Sequence, residues 1–270
     1  MRWNRRSQLL FVTGGSGFVG RHLALSSARG EWEVVAPSSS ALDITAGDRV
    51  RDQILQWKPK AVVHLAYRKD DPRVIIGGSV NVARAAAEVG ARLVHLSTDV
   101  VFGGRPAPYT EHDPPTPSSE YGRWKAEAEA EVMAVHPRAL LLRTSLVYGT
   151  DRLASIQLDV ERTLRAQAST TFFTDEIRCP VHADDLAAAI AELARRPELV
   201  GPIHVAGPQA LSRADFARAV AGWMGFDPAK VPTSTIAASG MQRPACVVLD
   251  SSYAASHGIR CRAVTDVLRR

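Results

Sequence analysis

The chain has 270 residues, of which 46% are hydrophobic and 23% charged. At roughly 150 residues per domain, this length predicts one large domain or two lobes. The composition excludes a disordered chain, a collagen-like repeat and a small disulfide-built scaffold. The net charge is 33 − 28 = +5, and residues 1–7 and 260–270 together supply +6 of it. Basic ends without a basic face argue against nucleic acid as a partner.

Targeting, membrane and metal signals are absent from the sequence. No apolar run approaches the roughly 18 residues that span a bilayer, and the first residues lack the apolar core of a signal peptide. The cysteines, Cys179, Cys246 and Cys261, show no CxxC spacing. They fit reduced thiols rather than a disulfide framework or a zinc site. We therefore expect a cytoplasmic protein with no membrane contact and no metal.

The first half of the chain alternates short apolar runs with amphipathic stretches. The runs predict strands over 9–13, 33–36, 61–66, 92–97 and 139–144, and the stretches predict helices over 18–29, 48–57, 79–89 and 119–135. We place the end of the first helix at Gly30. Strands that alternate with helices pair in parallel through right-handed crossovers, which predicts a doubly wound α/β sheet. The proline-rich residues 106–117 exclude a helix, and a loop this long is typical of functional segments.

The pattern becomes less regular after Gly149. Helices are predicted over 152–168, 183–195 and 212–224, and strands over 171–173, 202–206 and 246–249. We therefore expect a dinucleotide-binding domain over 1–150. Residues 151–270 are expected to hold the last sheet elements, interleaved with a smaller substrate-binding lobe.

A glycine-rich turn carries the strongest local signal. Gly14, Gly17 and Gly20 are spaced as G-x-x-G-x-x-G, directly after the first strand and at the opening of the first helix. This placement lets backbone N–H groups approach a pyrophosphate, and the helix N-terminus adds partial positive charge. The alternative is a turn that binds nothing, but the strand–turn–helix context favours a dinucleotide.

The sequence after the second strand bears on which nicotinamide cofactor binds. An NAD site usually has an acidic side chain about 20 residues past the glycines, and here the strand runs into Pro37 followed by serines. Arg21 is placed to pair with a 2′-phosphate, unless it is only a solvated helix residue. We therefore predict NADP(H) over NAD(H). Asp43 comes too late for the ribose and is predicted to reach the adenine amino group.

A tyrosine and a lysine form the second chemical signal. Tyr121 and Lys125 are four residues apart on a predicted helix and so share one face, about 6 Å apart along its axis. A nearby ammonium lowers the pKa of a phenol from its usual value of about 10, which makes Tyr121 a candidate acid/base group. Such pairs are common on helix surfaces, and this one gains weight from Thr98 at a strand end, where ligands of open α/β sheets bind.

In this order and spacing, the motifs resemble those of the extended short-chain dehydrogenase/reductase superfamily, and within it the dTDP-4-dehydrorhamnose reductase branch. The similarity runs through residues 14–20, 42–45, 80–81, 96–102, 108–111, 121–125, 143–149, 184–187, 243–244 and 249–250. The resemblance implies a Rossmann-type fold, a small-molecule substrate of the nucleotide-sugar class and, as a further possibility, a homodimer.

The resemblance also implies roles for individual residues. Thr98 holds the substrate oxygen, Tyr121 delivers the proton, and Lys125 orients the nicotinamide ribose. The implied cofactor contacts are Gly14, Gly17, Phe18, Val19, Gly20, Arg21, Asp43, Ile44, Leu65, Ala66, Tyr67 and Lys125. The implied substrate contacts are Thr98, Asp99, Tyr121 and Arg243, with a surface salt bridge as an equal alternative for Arg243.

Two departures from the family pattern lie on the substrate side. His64 stands where the family has asparagine, and residues 150–153 replace a segment that usually contains glycine and asparagine. These departures bear on which sugar binds more than on the chemistry. His64, His95 and His182 lie near strand ends without metal-ligand spacing, and we interpret them as structural.

The residues separate the possible reactions. A dehydratase of this superfamily needs an Asp-Glu pair after the threonine, and here Asp99 is followed by Val100. An epimerase would favour an acidic residue at the end of the second strand. A reductase remains the first hypothesis: hydride passes from NADPH to the ketone of a 4-keto-6-deoxy sugar nucleotide while Tyr121 protonates its oxygen. A non-catalytic NADP(H)-binding regulatory subunit and a sugar-nucleotide epimerase stay as alternatives.

Overall fold

The structure is a computed structural model that describes residues 8–27 and 32–269. In chain order its strands are β1 Gln8–Thr13, β2 Trp32–Val35, β3 Ala61–His64, β4 Arg92–Thr98, β5 Leu140–Thr144, β6 Val147–Tyr148, β7 Phe172–Phe173, β8 Ile177–Arg178, β9 Val181–His182, β10 Gly201–His204, β11 Leu211–Ser212 and β12 Thr233–Ser234. Its α-helices are α1 Phe18–Ser27, α2 Gly47–Trp57, α3 Ser79–Glu88, α4 Glu120–Val135, α5 Ser155–Leu164, α6 Ala183–Leu193, α7 Arg213–Met224, α8 Ile236–Ser239, α9 Ser252–Ser256 and α10 Val264–Val267. A π-helix, Arg73–Gly78, leads directly into α3.

The central element is a six-stranded parallel sheet with the order β10-β5-β4-β3-β1-β2. Strand β1 pairs with β2 on one side and with β3 on the other, where Thr13 stands opposite His64. The direction in which strands are added therefore reverses at β1. In doubly wound sheets such a reversal opens a crevice at the carboxyl ends of the strands, where ligands bind.

Helices α2 and α3 cover one face of this sheet. Val50 and Ile54 are four residues apart, so they share one face of α2, and both are fully buried. They pack in one core cluster with Phe11 and Val62 of the sheet and with Val82 of α3. Each such side chain contributes about 1.5–3 kcal/mol through burial. The apolar periodicity of the sequence thus becomes the layer that holds the crevice in place.

The chain divides into two compact units, each assembled from separate stretches. Unit 1 comprises the residues up to Ser97 together with Arg123–Leu142 and Ala187–Ile203. Unit 2 comprises Thr98–Gly122, Arg143–Leu186 and the residues from His204 onward. The assignment of 1–150 to the cofactor and 151–270 to the last sheet elements and the substrate stays a prediction.

Unit 2 is built from two-residue strands and several helices. Strand β8 pairs with β11 in antiparallel fashion, whereas β7 pairs with β12 and β6 with β9 in parallel. Helix α7 begins where the hydroxyl of Ser212 accepts the backbone N–H of Asp215 at 2.9 Å, an N-cap that satisfies one of the free donors of the first turn. These short pairings explain why the sequence pattern is irregular here.

The predicted fold class, a doubly wound parallel α/β sheet, is confirmed, and the predicted elements recur with small shifts at their ends. The strand predicted over 246–249 is wrong. Cys246 and Leu249 form single bridges to different partners, Ile177 and Tyr109, so no continuous ladder develops. The predicted helix end at Gly30 lies outside the described residues. Within the described ranges, no helix is long and apolar enough to cross a membrane.

Candidate active site

The glycine-rich turn lies between β1 and α1, and two of its glycines are required by geometry. Gly14 has φ +73°, and a Cβ atom there would lie 2.6 Å from the backbone nitrogen of Ala66. At Gly20 a Cβ atom would lie 2.5 Å from the carbonyl oxygen of Gly14. The turn is closed by a 2.9 Å hydrogen bond from the N–H of Gly17 to that same oxygen. Only glycine lets the helix start this close to the strand, which leaves its N-terminus open to an anion.

A cleft of about 640 Å³ opens at this turn, within unit 1. The predicted cofactor contacts that line it are Gly14, Gly17, Asp43, Ile44, Leu65, Ala66 and Tyr67. The remaining ones, Phe18, Val19, Gly20, Arg21 and Lys125, are not among its lining residues. Sequence reasoning missed Thr13, Ser16, Ser39, Ser40, Thr45, Arg68, Asp71 and Arg73, which also line it. Most of the missed residues follow the carboxyl ends of β1, β2 and β3, and that position is a signal the sequence does carry.

Charged groups at the cleft are partly neutralised by one another. The carboxylate of Asp43 accepts the backbone N–H of Thr45 at 2.9 Å and its hydroxyl at 2.8 Å, and these hydrogen bonds lower the pKa of Asp43. Asp71 pairs with Arg73 at 2.9 Å. Arg68 is exposed, and its guanidinium makes no hydrogen bond or ion pair within the described residues. Its guanidinium therefore remains available to an anionic ligand.

Lys125 is buried inside unit 1, with only 5% of its surface exposed. Its ammonium donates to the carbonyl oxygen of Leu96 at 2.8 Å and lies 3.5 Å from Nε2 of His95. Burial lowers the pKa of Lys125 to about 8, and the carboxylate of Glu129 opposes this shift. Tyr121 is half-buried one turn earlier on α4. A buried lysine with a lowered pKa is typical of a functional site.

The histidines His64, at the end of β3, and His95, in the middle of β4, are neutral. Both His64 and His95 are buried, and their rings lie 5.2 Å apart. Burial lowers the pKa of His64 to about 3 and that of His95 well below its usual value, and the Lys125 ammonium adds to both shifts. His64 is hydrogen bonded to Thr13 at 2.6 Å and to Ser79 at 3.0 Å. These contacts agree with the interpretation of His64 as a structural residue.

Thr98 and Asp99 lie in unit 2, at the carboxyl end of β4. The Thr98 hydroxyl is 3.3 Å from one carboxylate oxygen of Asp99. The other oxygen accepts the Ser145 hydroxyl at 2.6 Å and lies 3.7 Å from the guanidinium of Arg178. Asp99 is buried, which raises its pKa, while Arg178 opposes that shift. The carboxylate of Asp99 therefore contacts Ser145 and Arg178 through one oxygen and orients Thr98 through the other.

A second cleft, of about 580 Å³, lies within unit 2. It is lined by the predicted substrate residue Arg243 and by Arg213, Glu176 and Phe173. Arg243 lies 3.3 Å from the buried carboxylate of Glu176 and 5.6 Å from the ring centroid of Phe173. The salt-bridge alternative for Arg243 is thus present, but the side chain is 41% exposed. The charged side chains that line the cleft are two guanidiniums, Arg213 and Arg243, and two carboxylates, Asp159 and Glu176.

Comparisons with known proteins agree with this architecture. The family model described as RmlD substrate binding domain matches residues 8–269. A dTDP-4-dehydrorhamnose reductase of Mycolicibacterium smegmatis is 33% identical over an alignment that covers 94% of this chain and 81% of the relative. Methionine adenosyltransferase 2 subunit beta of Rattus norvegicus is 27% identical over 95% of this chain and 84% of its own. A crystal structure of dTDP-4-dehydrorhamnose reductase from Bacillus anthracis, in complex with NADP, has a TM-score of 0.88 at 25% identity and covers 97% of both chains.

The fold, the glycine turn and these similarities define the class. The protein is an NAD(P)-dependent oxidoreductase of the extended short-chain dehydrogenase/reductase superfamily, as the sequence predicts. Within that superfamily, the chain belongs to the RmlD substrate-binding-domain family. The roles of the individual site residues stay predictions.

Proposed function

We propose that this protein is an NADPH-dependent reductase that acts on the ketone of a 4-keto-6-deoxy sugar nucleotide. The observation that carries the proposal is the buried ammonium of Lys125, held by the Leu96 carbonyl one helical turn after Tyr121. Lysine is almost never fully buried unless it is paired or functional. The glycine turn at Gly14 supplies the cradle that a dinucleotide needs.

In the proposed mechanism each residue has one task. NADPH, when bound, supplies the hydride. The hydroxyl of Thr98 donates a hydrogen bond to the ketone oxygen, and the phenol of Tyr121 gives that oxygen its proton as negative charge develops. The Lys125 ammonium stabilises the phenolate that is left and holds the cofactor ribose. Proton transfer from a positioned side chain contributes roughly 10²–10⁴-fold in rate.

The preference for NADP(H) over NAD(H) is part of the proposal. Ser39 and Ser40 line the cleft just after β2, and residues 36–42 contain no carboxylate that could bind a ribose 2′-hydroxyl at the end of this strand. Arg21, the residue that the sequence favours for the 2′-phosphate, donates from Nε to the Ser16 carbonyl at 2.6 Å. Arg68 lines the cleft without an ion pair among the described residues, so we add it as a second candidate for the phosphate.

The nucleotide-sugar substrate is assigned to the cleft of unit 2. A nucleotide diphosphate needs cations, and Arg213 and Arg243 both line this cleft. The aromatic ring of Phe173 in the same cleft offers an apolar face for a base or sugar. A homodimer also stays part of the proposal, and light scattering of the purified protein measures it.

The test is NADPH oxidation with a panel of dTDP-4-keto sugars, comparing the wild type with Tyr121→Phe. We expect the variant to lose roughly 10²–10⁴-fold in kcat while it binds NADPH with the same Kd, because the phenol ring is kept. Equal rates in the two proteins would remove Tyr121 as the acid. No turnover with any ketone of the panel would remove the reductase itself.

The second candidate is a regulatory subunit that binds NADP(H) without catalysis. It is favoured by the 27% identity to methionine adenosyltransferase 2 subunit beta over 95% of this chain. This candidate predicts NADPH binding without oxidation by any ketone, and co-purification with a partner enzyme whose activity responds to NADP(H). Ketone reduction that depends on Tyr121 decides against it.

A further inference from the structure

The proton positions around Lys125 follow from its contacts. An ammonium has three N–H donors and no acceptor. One N–H bond points to the carbonyl oxygen of Leu96 at 2.8 Å, and Nε2 of His95 lies 3.5 Å away. That ring nitrogen can therefore only accept, so His95 is neutral and carries its proton on Nδ1.

Nδ1 of His95 is buried and has no hydrogen-bond partner in the part of the chain that the structure describes. A buried N–H without an acceptor destabilises a protein, and such groups call for an explanation. An apolar side chain of similar size would fill this position without that cost. The other nitrogen, Nε2, which faces Lys125, explains why a histidine occupies this position.

The protons of His64 are fixed in the same way. The hydroxyl of Ser79 donates to the carbonyl oxygen of Ile75 at 2.5 Å, so it accepts from Nε2 of His64 at 3.0 Å. Nδ1 of His64 then accepts the Thr13 hydroxyl at 2.6 Å. Both rings of this tilted pair are neutral, because burial lowers their pKa values. The ring of His95 therefore rests against a partner that neither repels the ammonium nor competes for it.

The charged and titratable groups that face Lys125 are few. Glu129 lies on the same helix and is bound by the Ser97 hydroxyl at 2.5 Å. His95 faces it from β4, and His64 lies behind His95 on β3. Tyr121 precedes it by one turn on α4. His95 is the group of this set for which a neutral nitrogen is seen at 3.5 Å from the ammonium, so it can orient the ammonium without cancelling its charge.

We propose that His95 is a positioning residue for Lys125: its Nε2 and the Leu96 carbonyl fix two of the three ammonium N–H bonds and leave one for the cofactor. The role of the third N–H bond rests on the proposed function. The contact between His95 and Lys125 does not. In this role His95 acts through Lys125.

The first experiment follows the ionisation of Lys125 without substrate. The chain has five lysines, so the full-length protein labelled with ¹³C-lysine gives few enough resonances to follow the Lys125 side chain by NMR through a pH titration. We compare the wild type with His95→Leu, which removes the acceptor, and with His95→Gln, whose amide oxygen replaces it. Loss of a hydrogen bond to the charged form should lower the Lys125 midpoint by about one pH unit in His95→Leu, and His95→Gln should restore it. Equal midpoints in wild type and His95→Leu overturn the proposal.

Two controls keep the result interpretable. His136 is another buried histidine of unit 1, bound through Nε2 to the carbonyl oxygen of Ala91 at 3.0 Å, and His136→Gln should leave the Lys125 midpoint unchanged. If His95→Leu does not fold, His95→Asn replaces it, because the shorter amide places no acceptor at the Nε2 position. A shift of the Lys125 midpoint by His136→Gln as large as that by His95→Leu would also overturn the proposal.

The second experiment measures the functional consequence. In His95→Leu we expect the alkaline limb of kcat/KM to move to lower pH by about the same unit, and the Kd for NADPH above pH 7 to rise several-fold. His95→Gln should reverse both. If the wild type reduces no ketone, the proposed function fails, whereas the NMR titration and the NADPH Kd still decide whether His95 holds Lys125.

Discussion

A buried chain of neutral, hydrogen-bonded side chains in unit 1 contrasts with a buried network of charged side chains in unit 2. The chain of unit 1 runs from Thr13 through His64 to Ser79, and the ring of His95 lies 5.2 Å from that of His64. Its members exchange hydrogen bonds without full charges. Among the described residues, the ammonium next to this chain is that of Lys125, which the backbone carbonyl of Leu96 also holds.

The network of unit 2 alternates in sign. Asp99 and Glu176 are both buried, and the guanidinium of Arg178 lies 3.7 Å from one carboxylate and 3.3 Å from the other. Arg243 adds a more exposed cation on the far side of Glu176. In a neutral chain, removing one member leaves a buried polar atom without a hydrogen-bond partner. In the charged network, removing one member leaves a buried charge unpaired, which lowers the free energy of unfolding several times as much. The two units should therefore respond differently to equivalent substitutions.

The largest effect is expected at Arg178. Arg178→Leu removes the guanidinium that lies beside both buried carboxylates, and we expect the free energy of unfolding to fall by about 3–5 kcal/mol. Equilibrium urea denaturation measures it. The matched control is Arg243→Leu, since this residue pairs with the same Glu176 but is 41% exposed, and its loss should stay below about 1 kcal/mol. Equal losses at the two arginines would show that burial of the network does not set its strength.

In unit 1 the largest effect is expected from backbone geometry. Gly14→Ala forces a Cβ atom to within 2.6 Å of a backbone nitrogen at φ +73°. We expect a loss of about 1–3 kcal/mol together with weaker NADPH binding, read by urea denaturation and by fluorescence titration. Gly90→Ala is the control, because φ is +67° there but nothing lies within 4 Å of the new Cβ. It should be destabilised less and keep its NADPH affinity. If Gly90→Ala weakens binding as much, the close approach at Gly14 is not what forms the cradle.

The sequence predicts unit 1 better than unit 2, because the signals for unit 1 are local. The glycine spacing and the alternation of strands and helices are local signals, and they predict β1, α1, the parallel sheet and the cleft at Gly14. The tyrosine–lysine spacing predicts a shared helix, and both residues lie on α4. The burial of Lys125 against Leu96 is a tertiary property that no spacing encodes.

Unit 2 is harder to predict for physical reasons. The segment over 246–249 divides its backbone hydrogen bonds between the loop at Arg105–Tyr109 and Ile177, so an apolar run that predicts a strand gives only single bridges. Arg178 lies on a two-residue strand, too short for any periodicity to show. Its pairing with Asp99 joins residues far apart in the sequence. Arg68 was missed for a simpler reason, since only its position after β3 indicates the cleft.

A smaller effect should separate two candidates for the cofactor phosphate in unit 1. If Arg68 binds the 2′-phosphate, Arg68→Gln should weaken NADPH roughly 10–100-fold, or about 1.4–2.7 kcal/mol, and leave NADH nearly unchanged. Arg21→Gln is the matched variant, because Arg21 lies on α1, the helix that follows the glycine-rich turn. Fluorescence titration with each cofactor gives the four dissociation constants. A larger loss in Arg21→Gln would favour the sequence-based assignment and contradict ours. Parallel losses for NADPH and NADH would assign Arg68 to the shared diphosphate instead.

The neutral histidines of unit 1 should reveal themselves in the pH dependence of stability. The pKa of His64 is about 3 in the folded protein, against about 6.5 in the unfolded chain. As the pH falls below 6.5, the unfolded chain takes up the proton first, so stability is complete above this pH and is lost below it. Between pH 6.5 and 5.0, above the range where most carboxylates titrate, one such histidine costs about 1.5 kcal/mol.

His64→Gln should reduce the pH-dependent loss by that amount, whatever the variant costs at neutral pH. Urea denaturation at the two pH values measures it. His204 in unit 2, whose pKa burial lowers to about 4, provides a matched test, because His204→Gln should reduce the loss by nearly the same amount. An unchanged pH dependence in His64→Gln would mean that His64 takes up a proton within the folded protein. In that case the Thr13–His64–Ser79 chain would not be the neutral counterpart of the charged network around Arg178.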